Sequence, residues 1–365
     1  MKLVIFGLTL SSSWGNGHAT LWRGLCAALA RRGHRVIFFE RDVPYYASTR
    51  DMTELPGGEL ILYGDWDNNV HRAQEHLRDC DAAMVTSYCP DGIAASRLVL
   101  DNCPGLRIFY DLDTPITLSR LARGEQVAYV GENGYRGFDL VLSYTGGKSL
   151  EDLTSVLGAA RVETLYGSVD PAVHRLAPAC EQYRAFLSYM GTYSPDRDAA
   201  LNALFIEPAK QFEDRRFLIG GSLYNGGFPW RPNIFYVGHL HPALHAEFYC
   251  SSRITLNVTR EPMAQTGYCP SGRLFEAAAC GTPVLSDYWE GLEEFYAPGS
   301  EILIGRESGD AVEALQRSDE ELARIGRSAR ERTLDCHTSD HRARRLEEIL
   351  SHASHCTEVT TACGE

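Results

Sequence analysis

No apolar run in this chain of 365 residues approaches the ~20 residues a helix needs to cross a bilayer, which excludes a helical membrane span. No basic, apolar leader with a small-residue cleavage site opens it. The first ten residues read as a strand, so a cytoplasmic location is expected. Lysine and arginine form no run, and the formal net charge is -13, which argues against nucleic acid or an anionic membrane surface as the main partner. The 11 cysteines are odd in number, scattered, and never spaced as CxxC. That speaks against a disulfide framework and for reduced, mostly buried thiols. Repeats and low-complexity tracts are also lacking. What remains is a globular chain long enough for two domains with their own cores.

Short apolar strands alternate with helical segments throughout. LVIFGL, VIFFE, AAMVTS, RIFYDL, FDLVLSY and VETLY fall in the first half; AFLSYM, RRFLIGG, IFYVG, ITLNVT, TPVLSD and EILIG fall in the second. Helices fit 19–32, 69–78, 92–101 and 148–157, then 196–211, 242–250, 272–280 and several after 308. Each half is a βαβ series, so the fold class is α/β: two doubly wound, Rossmann-like domains facing each other across a cleft. The proline- and alanine-rich DPAVHRLAPACE marks the break. Expected boundaries are 1–175 for the first domain and 176–335 for the second. A helix over 336–352 would cross back to the first, and 353–365 reads as a disordered tail.

The richest chemistry lies in GYCPSGRLFEAAACGTPVLSD, Gly267–Asp287. Ser271 is placed to cap a helix whose first amides belong to Gly272 and Arg273, an end that suits a diphosphate. Arg273 adds a guanidinium fork. Glu276, one turn further in, offers a carboxylate to a pair of hydroxyls such as a ribose carries. Gly281 and Pro283 stop the helix.

These residues resemble glycosyltransferases of the two-Rossmann-domain (GT-B) architecture, which share an E-A-x-A-x-G-x-P segment after an anion-binding helix start; here it is Glu276 to Pro283. WGNGHATLWRGLCAALARRGHRVIFFERD, FYDLDTPITL, SYTGG, LSYMGTYSPDR and LNVTR are similar to the CgeB-like (spore maturation protein) branch, over about Met1–Arg306. The resemblance implies a metal-independent transferase that moves a sugar from a nucleotide-sugar, UDP or dTDP favoured, to an acceptor hydroxyl or amine, with no cofactor. It implies that Glu276 holds the ribose, and that Ser271, Gly272 and Arg273 hold the diphosphate. Arg197 neutralises the departing diphosphate, and Thr192 stands where relatives often have arginine. The turn at His239–Leu240 lies beside the base. Tyr268 occupies a position that is acidic in retaining relatives, so the stereochemical course stays open. Other readings on the same fold are an epimerase, a hydrolase, or an inactive nucleotide-sugar-binding protein.

SSSWGNGHATLW places Gly15, Asn16 and Gly17 between a strand and a helix that begins near His18. A dinucleotide fingerprint would want its glycines directly after the strand and a third at Thr20; Glu40 would be its acid. The transferase reading instead makes this a cleft loop presenting His18 as a base, oriented by Asp113 with Asp111 as substitute. Asp113 is equally placed to cap the helix that starts at Thr114–Pro115. His239, His241 and His245 have spacings that suit a metal, but no acidic or thiol partner accompanies them, and no metal site is expected.

Overall fold

The computed structural model describes the backbone of residues 1–362 and the side chains through Ser354. The chain divides into two compact units. One comprises Met1–Ser13, His18–Tyr166 and the C-terminal segment from Ser339; the other comprises Trp14–Gly17 and Gly167–Thr338.

Seven parallel strands form the sheet of the first unit: β1 (Lys2–Gly7), β2 (Arg35–Arg41), β3 (Glu59–Tyr63), β4 (Ala82–Thr86), β5 (Leu106–Asp111), β6 (Leu140–Ser143) and β7 (Val162–Thr164), in the order β3-β2-β1-β4-β5-β6-β7. The central strands read as continuous apolar runs because both faces are covered. Leu3 and Ile5 point into one cluster with Trp22, Leu25 and Leu29 of the helix His18–Arg31. Val4 and Phe6 point into the opposite cluster with Ala73, Leu77 and Val99. The edge strand β3, ELILY, was not legible as a strand. Its pattern is half-buried, and polar helical residues follow it closely.

The last helix runs Ser339–Ala362 and belongs to the first unit. Ala343, Leu346, Ile349 and Leu350 join the cluster of Trp22 and Leu25. The helix therefore continues past the 352 expected from sequence, and of the tail only 363–365 lie outside the described residues. Arg342 of the same helix donates from Nε to the Tyr166 carbonyl at 3.1 Å.

The second unit has six parallel strands: β8 (Leu187–Met190), β9 (Phe217–Gly220), β10 (Ile234–Val237), β11 (Thr255–Asn257), β12 (Val284–Asp287) and β13 (Leu303–Gly305), in the order β10-β9-β8-β11-β12-β13. All six correspond to apolar runs in the sequence. The helical stretch expected over 196–211 widens to a π-type turn at Asn202–Ile206. Pro208 follows directly, and its missing N–H and bulky ring are relieved by such a widening.

Glu40, at the end of β2, is fully buried and does the work of a clamp. Its carboxylate accepts from Thr9 Oγ1 (2.7 Å), Leu10 N (2.8 Å), Ser11 N (2.9 Å) and Ser11 Oγ (2.5 Å). All four acceptor directions are thus spent on the loop after β1, and none is left for the ribose of a dinucleotide. Asp51 extends the clamp, receiving Ser13 Oγ at 2.6 Å and the Arg23 guanidinium. Glu40→Ala should strip two buried amides and two hydroxyls of their acceptor, lowering stability by about 3 kcal/mol or more. Urea unfolding measures the loss, and hydrogen exchange should show the amides of Leu10 and Ser11 deprotected first.

Candidate functional site

In a doubly wound sheet, ligands bind beyond the C-terminal ends of the strands where the strand order reverses. In the second unit that point lies between β8 and β11. β8 runs into Gly191 and Thr192, β9 into Gly221 and Ser222, and β11 into Val258–Arg260. Gly191 and Gly221 bring two of these loops together backbone to backbone. Gly221 has φ +141, and a Cβ there would sit 2.1 Å from the Gly191 carbonyl oxygen.

The helix expected at 272–280 is present as Gly272–Ala279, with Ser271 as its N-cap; Ser271 Oγ accepts from Arg273 N at 3.3 Å. Gly272 faces open space, since a Cβ there meets nothing within 4 Å. Arg273 reaches over the crevice floor. Its Nη1 donates to Asn257 Oδ1 at 3.0 Å, and its guanidinium lies 5.1 Å from the Tyr189 ring centroid. It is held by a neutral amide and an aromatic face, which leaves its charge available to an anion. Arg197 follows the loop after β8; its Nη1 donates to the Thr192 carbonyl at 2.9 Å. Thr192 Oγ1 in turn meets Ser222 Oγ at 3.3 Å. Arg260 Nε pairs with Asp196 at 2.8 Å. Asp287, at the end of β12, accepts from Thr259 N and Oγ1 at about 3 Å; burial still raises its pKa to about 6. Ser271, Gly272, Arg273, Thr192 and Arg197 thus belong to elements bordering one crevice.

Glu276 sits one turn into the helix. Tyr249 Oη donates to its Oε2 at 3.5 Å, and His174 Nε2 lies 3.8 Å from its Oε1. The sequence did not point to His174. It is wholly buried, and its Nε2 is 3.1 Å from His245 Nδ1. His245 Nε2 is 3.2 Å from the Leu240 carbonyl oxygen. A carbonyl only accepts, so the proton order is fixed: His245 donates from Nε2 and accepts at Nδ1, and His174 donates from Nε2. Burial lowers His245 to about 4 and also depresses His174, so both rings are neutral at neutral pH. This relay of hydrogen bonds runs from His174 through His245 to the Leu240 carbonyl, and Glu276 stands beside it, 3.8 Å from His174 Nε2.

The metal question falls on a different trio from the one the sequence raised. His239 packs its ring 4.7 Å from that of Trp14, and His241 accepts from Ala243 N to cap the next turn. Only His245 of the three turns inward. Ligand atoms of His174, His245 and Glu276 do lie within 4.8 Å of one another. However, the two imidazole nitrogens facing that space share a hydrogen bond, and a metal would require both lone pairs. The geometry is that of a neutral, hydrogen-bonded imidazole pair.

In the first unit the strand order reverses between β1 and β4. His18 opens the helix after β1, and its ring lies 6.0 Å from that of Tyr88, which follows β4 in the left-handed region at φ 64. The Tyr88 ring packs at a tilt, 5.3 Å from that of Tyr129, whose hydroxyl shares a 2.8 Å hydrogen bond with Thr117 Oγ1 in the helix Thr114–Ala122. Asp113 is the backbone cap of that helix, but its side chain makes no capping bond. Asp111 is spent in the interior. Its Oδ1 accepts from Asp113 N at 3.1 Å and its Oδ2 from Tyr135 Oη at 3.0 Å; burial raises its pKa to about 6. Of the two aspartates, Asp113 is the one at the rim. Gly15, Asn16 and Gly17 group with the second unit; Gly15 has φ 59, and a Cβ on Gly17 would meet nothing within 4 Å.

A glycosyl transferase-like family model matches residues 197–348, a span that includes Arg197, Arg273 and Glu276. No curated protein is similar in sequence at a significant level. Solved structures resemble the chain over nearly all of its length. A sucrose-phosphate synthase from Thermosynechococcus elongatus is 12% identical, with 96% of this chain and 99% of that one covered and a TM-score of 0.68. Anabaena HepE in complex with UDP and glucose is 12% identical, with 96% and 100% covered and a TM-score of 0.66. An alpha-glucosyltransferase in complex with UDP-glucose and DNA containing an abasic site is 13% identical, with 96% and 99% covered and a TM-score of 0.71. These likenesses establish the fold: two parallel-sheet α/β domains of the GT-B type.

The neutral relay generates a prediction. The unfolded His245 titrates near 6.5 and the folded one near 4, so the unfolded state binds a proton that the folded state refuses. Stability is therefore lost as pH falls from 6.5 to 4, by up to about 3 kcal/mol, and is unaffected above that window. Asp287, whose pKa is raised, works in the opposite sense over an overlapping range. The expected result is accordingly a difference: urea midpoints of wild type and His245→Gln should run parallel above pH 6.5 and converge as pH falls towards 4.

Proposed function

We propose that this chain is a nucleotide-sugar glycosyltransferase of the CgeB-like kind. The second unit holds the donor, UDP- or dTDP-linked, and the first supplies the acceptor side and the base. One observation carries the reading. At the strand-order reversal of the second unit, Arg273 stands at a helix start with its charge held by neutral groups, and Glu276 follows one turn later on the same helix. A diphosphate needs the first and a ribose the second, at about that separation. The matched family model and two structural neighbours solved with UDP or a UDP-sugar support it. UDP accompanies HepE and UDP-glucose the alpha-glucosyltransferase, each on this fold.

Chemically, the sugar leaves its diphosphate as negative charge builds on the leaving oxygens. Arg273, Arg197 and the helix N-terminus meet that charge, so turnover requires no metal. The Leu240 turn takes the base. His18 removes the acceptor proton, and Asp113 orients its imidazole.

Product analysis by NMR tests the reading. UDP- and dTDP-sugars incubated with acceptor mixtures in EDTA should give a new glycosidic linkage. Free sugar alone, an epimerised donor, or turnover restored only by Mg²⁺ would contradict it. His18→Ala should lower kcat by about 10²–10⁴. A loss below tenfold, or a product retaining the donor's anomeric configuration, would remove His18 from the role of base.

A further inference from the structure

Three buried polar atoms of the second unit have no hydrogen-bond partner and lie around the same crevice: Tyr189 Oη, Tyr224 Oη and Arg197 Nε. Tyr189 is fully buried at the end of β8. A Cβ built on Gly191 would sit 2.7 Å from Tyr189 Oη and 2.8 Å from Arg273 Nη2. The hydroxyl and the guanidinium therefore converge on one small space, which any side chain at position 191 would fill. Tyr224 comes from the loop after β9, just beyond Leu223, whose φ of 68 is left-handed. Its ring lies 5.6 Å from that of Tyr193 and 5.6 Å from that of Tyr236. Burial pushes its phenol up, Tyr189 adds to this, and Arg273 and Arg197 pull it down, so both guanidiniums are within electrostatic reach.

A buried hydroxyl without a partner costs about as much as a lost hydrogen bond, and two beside two arginines call for an explanation. Guanidinium N–H groups only donate, so the missing partner accepts, and it accepts from several directions at once. We propose that the hydroxyls of Tyr189 and Tyr224 donate to the diphosphate oxygens of the nucleotide-sugar, as neutral donors beside Arg197 and Arg273. The assignment rests on the donor reading given above. It adds a reason for neutrality: hydroxyls stabilise a diphosphate without trapping it as a third and fourth cation would, and their bonds strengthen as charge builds on the leaving group.

Inorganic pyrophosphate is the probe, titrated calorimetrically into full-length wild type, Tyr189→Phe, Tyr224→Phe and the double variant. Wild type should bind it, each single variant should bind about tenfold more weakly, and the double variant more weakly still. Because the lost hydroxyls bond nothing in the free protein, the variants should unfold at the wild-type temperature or above. With donor present, kcat should fall more than KM rises. Unchanged pyrophosphate affinity, meaning that water alone serves these hydroxyls, would overturn the proposal. So would absence of pyrophosphate binding to wild type, or variants that unfold earlier with affinity intact. UDP competition separates the two layers. Pyrophosphate that binds through the tyrosines but is not displaced by UDP or dTDP would refute the nucleotide-sugar reading and leave the anion site standing.

Discussion

The second unit gathers hydrogen-bond donors that its own fold satisfies only in part. A parallel sheet with reversed strand order opens a crevice at its C-terminal edge, and the chain lines that crevice with donors: Arg273, Arg197, Tyr189 and Tyr224. In a closed core such an arrangement would be a liability. Here the glycines at 191 and 221 bring the loops close enough to concentrate it. Asn257 holds Arg273 without neutralising it. The electrostatics are thus set by the fold itself, as the proposed role on a departing diphosphate would demand.

Glu276 is set by a different constraint. Its carboxylate lies beside the relay from His174 through His245 to the Leu240 carbonyl. Both rings are kept neutral by burial, so the relay adds no cation to capture the carboxylate. The turn that would face a base is thereby held by the imidazole pair beside which the carboxylate of Glu276 stands.

Much of this architecture can be read along the chain because it is locally encoded. β8 to β13 are short apolar runs bounded by turns. Ser271 followed by Gly272 and Arg273 is a local helix-start signal, and so is the stop at Gly281 and Pro283. What escaped the sequence depends on partners far apart. His174 and His245 are 71 residues distant, a separation at which no periodicity speaks. Tyr189 is one aromatic in the apolar run AFLSYM, and nothing in that run shows that its hydroxyl lies beside Gly191 without a partner. Glu40 shows the reverse case, a placement that suggests a role its partners exclude. At the end of β2 it has the placement of a ribose-binding acid, yet it clamps the Thr9–Ser11 loop, because that loop's buried amides needed an acceptor. The edge strand β3 was hidden because half-buried strands at an edge carry a weak apolar signal.

The most direct test of the account is calorimetric titration of UDP and dTDP into wild type and Glu276→Ala, with the thermal transition followed alongside. The account predicts that wild type binds one of the two nucleotides, and that the variant, with an unchanged transition, binds it about 10- to 100-fold more weakly as the ribose hydroxyls lose a charged acceptor. Equal affinity in the two proteins would contradict the placement of the ribose at Glu276 and with it the orientation of the donor along the helix.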